Sequence, residues 1–92
     1  MRKCFAANYE LGPNWETGKP ITQQPLSEHV AYLTELHDKE VVLMGGPFAD
    51  GTAGLVILEA SAIEEASQII NNDPAIRSKV LTAEVREWNR LV

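Results

Sequence analysis

The sequence predicts an α+β fold that runs strand, helix, strand, strand, helix, strand, with both helices on one face of a four-stranded antiparallel sheet. Three observations predict it. Apolar residues recur at helical spacing in two separate segments, at Val30, Leu33 and Leu36, and again at Ile63, Ala66, Ile69 and Ile70. Between those segments lie two short apolar runs joined by a loop containing Asp50-Gly51, a strong hairpin signal. The last segment, from Leu81 to Asn89, alternates, with Leu81, Ala83 and Val85 on one side and Thr82, Glu84, Arg86 and Trp88 on the other.

Residues 2 to 8 read as the first strand, ended by Tyr9-Glu-Leu-Gly-Pro-Asn. The connection from there to Leu26 contains Gly12, Pro13, Gly18, Pro20 and Pro25, and an irregular loop of that length in a small domain is functional or disordered. Trp15 lies within it. A large aromatic is costly to leave in water, so Trp15 is expected to pack down, either as an anchor or as the wall of a pocket.

The first helix is expected over Ser27 to Lys39, with Ser27 as its cap and Glu28 at the positive end of its dipole. Val30, Leu33 and Leu36 form its apolar stripe, with Tyr32 at the edge. His29 lies one turn before Leu33 and His37 one turn after it, so both imidazoles border the buried face. Each can be a partly buried histidine satisfied by backbone or water, or a pocket residue.

Glu40 to Met44 and Gly54 to Ala60 read as the middle strands. Their apolar residues are consecutive (Val41-Val42-Leu43-Met44 and Leu55-Val56-Ile57-Leu58), which requires cover on both faces of the sheet. The glycines between them lack the Gly-Lys-Ser/Thr ending and the following helix of a phosphate loop. Asp50 reads as a turn residue. Ser61 and Glu64 suggest a capping box for the second helix, which runs to Asn72, and Asp73-Pro74 starts a short helical turn. This order is the ferredoxin-like, or split βαβ, arrangement. Its two helices cover one sheet face, and a second copy of the chain is the economical cover for the other, giving a homodimer of sheet against sheet.

The totals narrow the function. Ninety-two residues with 45% apolar content are expected to form a single domain, 1–92, which buries only roughly 60–65% of its extended surface. With 13 acidic against 8 basic side chains the formal charge is −5, and the basic residues do not cluster, so nucleic acid is not an expected partner. The amino terminus has two positive charges without a long apolar run behind them, and the expected location is the cytoplasm, with no membrane partner. A single cysteine, Cys4, gives no internal disulfide and no cysteine cluster for a metal, and in a strand it reads as a small buried hydrophobe. No cofactor or metal motif is evident, and there is no serine elbow, His-x-x-x-His or Gly-x-Gly-x-x-Gly.

Two residues stand out chemically, His29 and Asp73. If the helices bring them together, the carboxylate can orient the imidazole and stabilise its protonated form, leaving the other ring nitrogen to move protons. The competing reading of Asp73 is a cap on Pro74-Ala-Ile-Arg77. His37 and Asp38 are adjacent on a helix and point about 100° apart, so they do not form a pair.

Taken together, Gly12-Pro13-x-Trp15, Glu28-His29-x-x-x-Leu33, Leu43-Met44-Gly45-Gly46-Pro47-Phe48, Glu64-Glu65-Ala66, Asn72-Asp73-Pro74 and Val85-Arg86-x-Trp88 resemble the YCII-related (YciI-like) family over nearly the whole chain. The resemblance implies a dimeric ferredoxin-like α+β barrel with an active-site histidine and aspartate, which fall on His29 and Asp73. One relative of that group is a dehydrochlorinase of a chlorinated hydroxyhydroquinone, and the wider superfamily includes isomerases and cofactor-free monooxygenases. The function expected on this basis is a small cofactor-independent lyase or isomerase. In it His29, oriented by Asp73, shuttles a proton on a small aromatic or enol-like compound, within a pocket walled by Trp15, Tyr32, Met44 and Phe48. The alternatives are a non-catalytic dimeric module that binds a small molecule, and an accessory to a larger enzyme.

Overall fold

The computed structural model describes residues 2–92. The elements follow in the order β1 (Lys3–Leu11), a 3-10 turn (Ile21–Gln23), α1 (Ser27–Asp38), β2 (Val42–Pro47), β3 (Ala53–Ala60), α2 (Ile63–Asn71), α3 (Pro74–Arg77) and β4 (Leu81–Glu87). All strand pairs are antiparallel and the sheet order is β2-β3-β1-β4, the ferredoxin-like topology. The expected α+β barrel is corrected by this order. β2 and β4 lie at opposite edges, each paired on one side only, so the sheet is open. Closure would require these two edges to meet, with strand tilt and stagger to match.

β1 runs three residues beyond its expected end. Phe5, Ala7 and Tyr9 all point to the helix side and are buried, so the alternation that makes the strand carries through Tyr9 to Leu11, and Gly12-Pro13 is the actual stop. Opposite them on the same face stand Leu58, Val56 and Gly54 of β3 and Val85 and Ala83 of β4. Ala66 and Ile70 of α2 close the core over this face, with Leu33 and Leu36 of α1 packed at its margin.

β2 begins two residues later than expected. Glu40 has a positive φ of 63° and ends α1 in a Schellman turn, in which the Glu40 amide donates to the His37 carbonyl and the Val41 amide to that of Leu36. α3 ends in the same way at Lys79, where the Lys79 amide donates to Ile76 and that of Val80 to Ala75. The caps expected from serines are displaced as well. Leu26, not Ser27, occupies the cap of α1, and Ala62 that of α2, while the Glu65 carboxylate reaches back to the Ser61 amide at 2.9 Å.

The second αL turn anchors the long loop. The Gly12 amide donates to the Val80 carbonyl and the Asn14 amide to that of Lys79, both at 2.9 Å, and the Asn14 side chain donates to Ser78 at 2.8 Å. Backbone meets backbone so closely here that a Cβ on Gly12 would be driven into the Lys79 carbonyl. Gly12→Ala is therefore expected to destabilise the protein by about 1–3 kcal/mol, the range for forced overpacking. Urea unfolding measures this, and an unchanged midpoint with an unchanged slope would refute the close approach.

Candidate functional site

The centre of the site is Asp73, a carboxylate with no solvent exposure. It precedes Pro74 at the start of α3, and its Oδ1 accepts the Ala75 amide at 2.9 Å, the cap expected from the sequence. Its Oδ2 accepts two further bonds. His29 Nδ1, from the first turn of α1, lies 2.6 Å away, and the Tyr9 hydroxyl of β1 donates at 2.9 Å. Asp73 is therefore both the cap of α3, through Oδ1, and the partner of His29, through Oδ2.

Helix direction explains how His29 reaches it. The start of α1 lies against the end of α2, where His29 meets Asp73, and one turn further along α1 the Tyr32 hydroxyl donates to the Ile69 carbonyl at 2.7 Å. As the position rises on α1 it falls on α2, so the two helices run antiparallel.

A carboxylate accepts and does not donate when ionised, so the short bond assigns the proton to His29 Nδ1 and leaves Nε2 as the free nitrogen. Among the described residues Nε2 has no protein partner, and no buried side-chain nitrogen or oxygen lacks one. Nε2 is thus reached by solvent, although the His29 side chain as a whole is only 15% exposed. The Tyr9 ring meets the imidazole edge-on, with centroids 5.6 Å apart and planes at 63°.

His29 opens on a cavity of about 720 Å³ between α1 and the sheet. Val30, Leu33, Thr34 and His37 supply the α1 wall, Trp15 and Ile21 the loop wall, and Val42, Gly45, Gly54 and Val56 the floor. A bulge in β2 makes room for it. Val42 pairs with Leu58 and Met44 with Ile57, so two residues of β2 stand against one of β3. The slip turns Met44 to the face away from the helices and brings Gly45 into the place beneath α1. A glycine where a methionine was expected leaves the space open.

The loop holding Trp15 is ordered by Gln24, a buried side chain that spends all its bonding on the backbone. Its Nε2 donates to the Glu16 and Lys19 carbonyls at 2.8 and 3.0 Å, and its Oε1 accepts the Glu16 amide at 2.9 Å. Trp15 packs against the core and lines the cavity.

Of the residues expected at the site, the structure brings together His29 and Asp73, and puts Trp15 on the cavity. Tyr32, Met44 and Phe48 are not among its lining residues. Tyr32 is turned towards α2 by its bond to Ile69, Met44 is reversed by the bulge, and Phe48 is half-exposed in the β2–β3 hairpin. In that hairpin Asp50 Oδ1 accepts the Thr52 amide and hydroxyl, and these two bonds hold its carboxyl below the usual range. His37 lines the far end of the same cavity, exposed, with only Asp38 nearby at 4.0 Å. Tyr9 and Gln24 are the residues that sequence reasoning missed. Phe5, Ala7 and Tyr9 at two-residue spacing were a usable signal for Tyr9, and nothing comparable marks Gln24.

No group of three or more His, Cys, Asp or Glu side chains that could hold a metal occurs among the described residues, and no helix among them is long and apolar enough to cross a membrane.

Fold and site together define an open ferredoxin-like α+β domain in which a buried His–Asp pair lies at the edge of an apolar cavity. The chain belongs to the YCII-related domain family, whose profile matches residues 10–89. It is 33% identical over 68 residues to the uncharacterized protein YjpA of Bacillus subtilis, a match covering 74% of this chain and 80% of that one. Its fold resembles that of 5-chloro-2-hydroxyhydroquinone dehydrochlorinase from Burkholderia phenoliruptrix, solved in complex with 2,5-dihydroxybenzoquinone. That likeness has a TM-score of 0.61 at 21% identity and covers 92% of this chain and 93% of the other.

Burial first, and then the charge and hydrogen bond of Asp73, raise the Tyr9 phenol well above its ordinary value; Tyr32 is raised by partial burial, then by Asp73 and Glu35. The folded state thus keeps a phenolic proton that the unfolded chain releases near pH 10. The stabilisation is complete below about pH 10 and is lost as pH rises above it. Melting temperature is expected to fall in that range, and to fall less in Tyr9→Phe. Of the two tyrosines, Tyr9 should contribute no phenolate absorbance in the folded protein at pH 10, read in a Tyr32→Phe variant; an ordinary titration there would contradict the buried Tyr9–Asp73 bond.

Proposed function

We propose that this protein is a small cofactor-independent enzyme that transfers a proton on a small aromatic or enol-like metabolite, a lyase- or isomerase-type step, with His29 as the acid–base group. The observation that carries the reading is the 2.6 Å bond between His29 Nδ1 and the buried Asp73, which fixes the imidazole and leaves Nε2 at an apolar cavity. Asp73 holds the ring in one tautomer and stabilises the imidazolium that forms when Nε2 accepts a proton. In an isomerisation that proton returns to a different atom of the substrate. In an elimination the electron pair left behind expels a leaving group, and the substrate loses both the proton and that group. Trp15, Leu33, Val42 and Val56 surround the reacting atoms with apolar surface, which strengthens the attraction between the imidazolium and developing negative charge on the ligand.

The resemblance in fold to a dehydrochlorinase seen with 2,5-dihydroxybenzoquinone supports hydroxylated six-membered rings as the first class to test. Phenolic, hydroxyquinol and lactone compounds should be screened with the parent and with His29→Ala. Turnover is expected to fall by roughly 10²–10⁴ in the variant, the usual contribution of a positioned acid–base group. Ligand-induced thermal stabilisation without turnover in the parent would replace the enzyme with a binding module that uses the same cavity.

We also propose that the chain acts in the cytoplasm as a homodimer in which a second copy covers the sheet face away from the helices. Met44 is exposed on that face beside Ile57 and Ala6, and both helices lie on the opposite face of the sheet. Sedimentation at micromolar concentration is expected to give twice the 10.2 kDa chain mass, and a clean monomer would end this proposal.

A further inference from the structure

We propose that Tyr9 is a positioning residue for His29: by donating to the same carboxylate oxygen, it divides the pull of Asp73 and so sets how readily the imidazole takes up a proton. The inference rests on the acid–base reading of His29 above and assigns a role to a side chain outside the pair.

The geometry is specific. Oδ2 of Asp73 receives the Tyr9 hydroxyl at 2.9 Å and His29 Nδ1 at 2.6 Å, while the Ala75 amide occupies Oδ1. A carboxylate with no other partner on that oxygen would direct its charge at the imidazole alone and hold the imidazolium strongly. A base that holds its proton too strongly does not return it, and catalysis needs a proton affinity matched to the working pH. A second donor on Oδ2 drains charge from the oxygen and weakens that hold. Burial and the charge of Asp73 keep the phenol protonated, so it remains a donor throughout the neutral range. Its hydroxyl is committed to Asp73 and its ring braces the imidazole edge-on, so Tyr9 acts through His29.

Few other ionisable groups lie close enough to take this role. α1 carries Glu28, Tyr32 and Glu35 near His29, with Tyr32 committed to the Ile69 carbonyl. Of the elements packed on α1, β2 has no ionisable residue, and α3 has only Arg77, which is exposed. Only Tyr9 shares the Asp73 oxygen with His29 among the described residues.

The test reads His29 directly by NMR titration of its ring carbons and nitrogens, which requires no substrate. In Tyr9→Phe the His29 titration midpoint is expected to move to higher pH by about half a unit or more, while that of His37 stays put. Replacing tyrosine with a fluorotyrosine in a Tyr32→Phe background makes Tyr9 a stronger donor without removing a bond, and the midpoint should move to lower pH. This second arm holds if Tyr9→Phe fails to fold. Shifts of opposite sign support the proposal; a midpoint unmoved in the fluorotyrosine protein, or moved in the same direction in both, overturns it. Because the readout is independent of turnover, an inactive protein with these shifts would refute the enzyme reading and leave the role of Tyr9 intact.

Discussion

The buried Asp73 carboxylate is the constraint on which the rest of the site depends. An ionised carboxylate removed from water is strongly unfavourable unless donors replace its hydration, and here three do so. They come from separate parts of the chain: Tyr9 from β1, His29 from α1, and the Ala75 amide from the start of α3. Tyr9 lies 64 residues from Asp73 and His29 lies 44 away, so the set exists only once the sheet has paired and α1 has docked. Site geometry and fold are therefore one cooperative arrangement. Loss of the carboxylate would strand three donors at once, which is a larger cost than losing a surface pair of the same length.

The cavity is as much a product of missing side chains as of present ones. α1 has no fully buried residue, and Val30, the first residue of its expected apolar stripe, is 58% exposed. A helix that touched the sheet along its whole length would bury that stripe. Instead α1 is held at its first turns by His29 on Asp73 and Tyr32 on Ile69, and by Leu33 and Leu36 at the core margin. The sheet beneath it presents Gly45 and Gly54, and Gly45 is there because the bulge turned Met44 away. Apolar surface that could have stabilised the fold is left uncovered around His29.

Much of this was legible in the sequence because it depends on period and chemistry. The element order, the Asp50-Gly51 hairpin and the inward stripe of α2 follow from spacing and residue type, and His29 and Asp73 stand out as candidates from residue type and resemblance. What was not legible depends on register and on contacts between distant segments. No local pattern separates a bulge at Val42 to Met44 from a regular strand, and one inserted residue exchanges the two faces for everything beyond it. A regular strand would put Met44 on the cavity side; the bulge does not. Tyr9 falls outside the expected first strand, because the turn residues that follow it, Gly12 and Pro13, mask an alternation that continues to Leu11. The place of Tyr32 on the helix points it to the pocket, but its hydroxyl turns to the Ile69 carbonyl near the end of α2 instead. The barrel expectation came from resemblance, and the edge positions of β2 and β4 do not support it.

The two histidines differ in what stands behind them. Both line the same cavity, two turns apart on α1. Exposure to the cavity therefore does not separate them. Behind His29 lies a carboxylate with no solvent exposure at 2.6 Å; beside His37 lies an exposed carboxylate at 4.0 Å, where water and salt screen the interaction. An imidazole held from behind has one tautomer, one orientation and a fixed partner for the charge it acquires. One without that support has none of these, whatever it faces. The partner comes from the Asp73-Pro74 turn, far from His29 in sequence, so the residue that makes His29 chemically special had to be found beyond the helix that carries it.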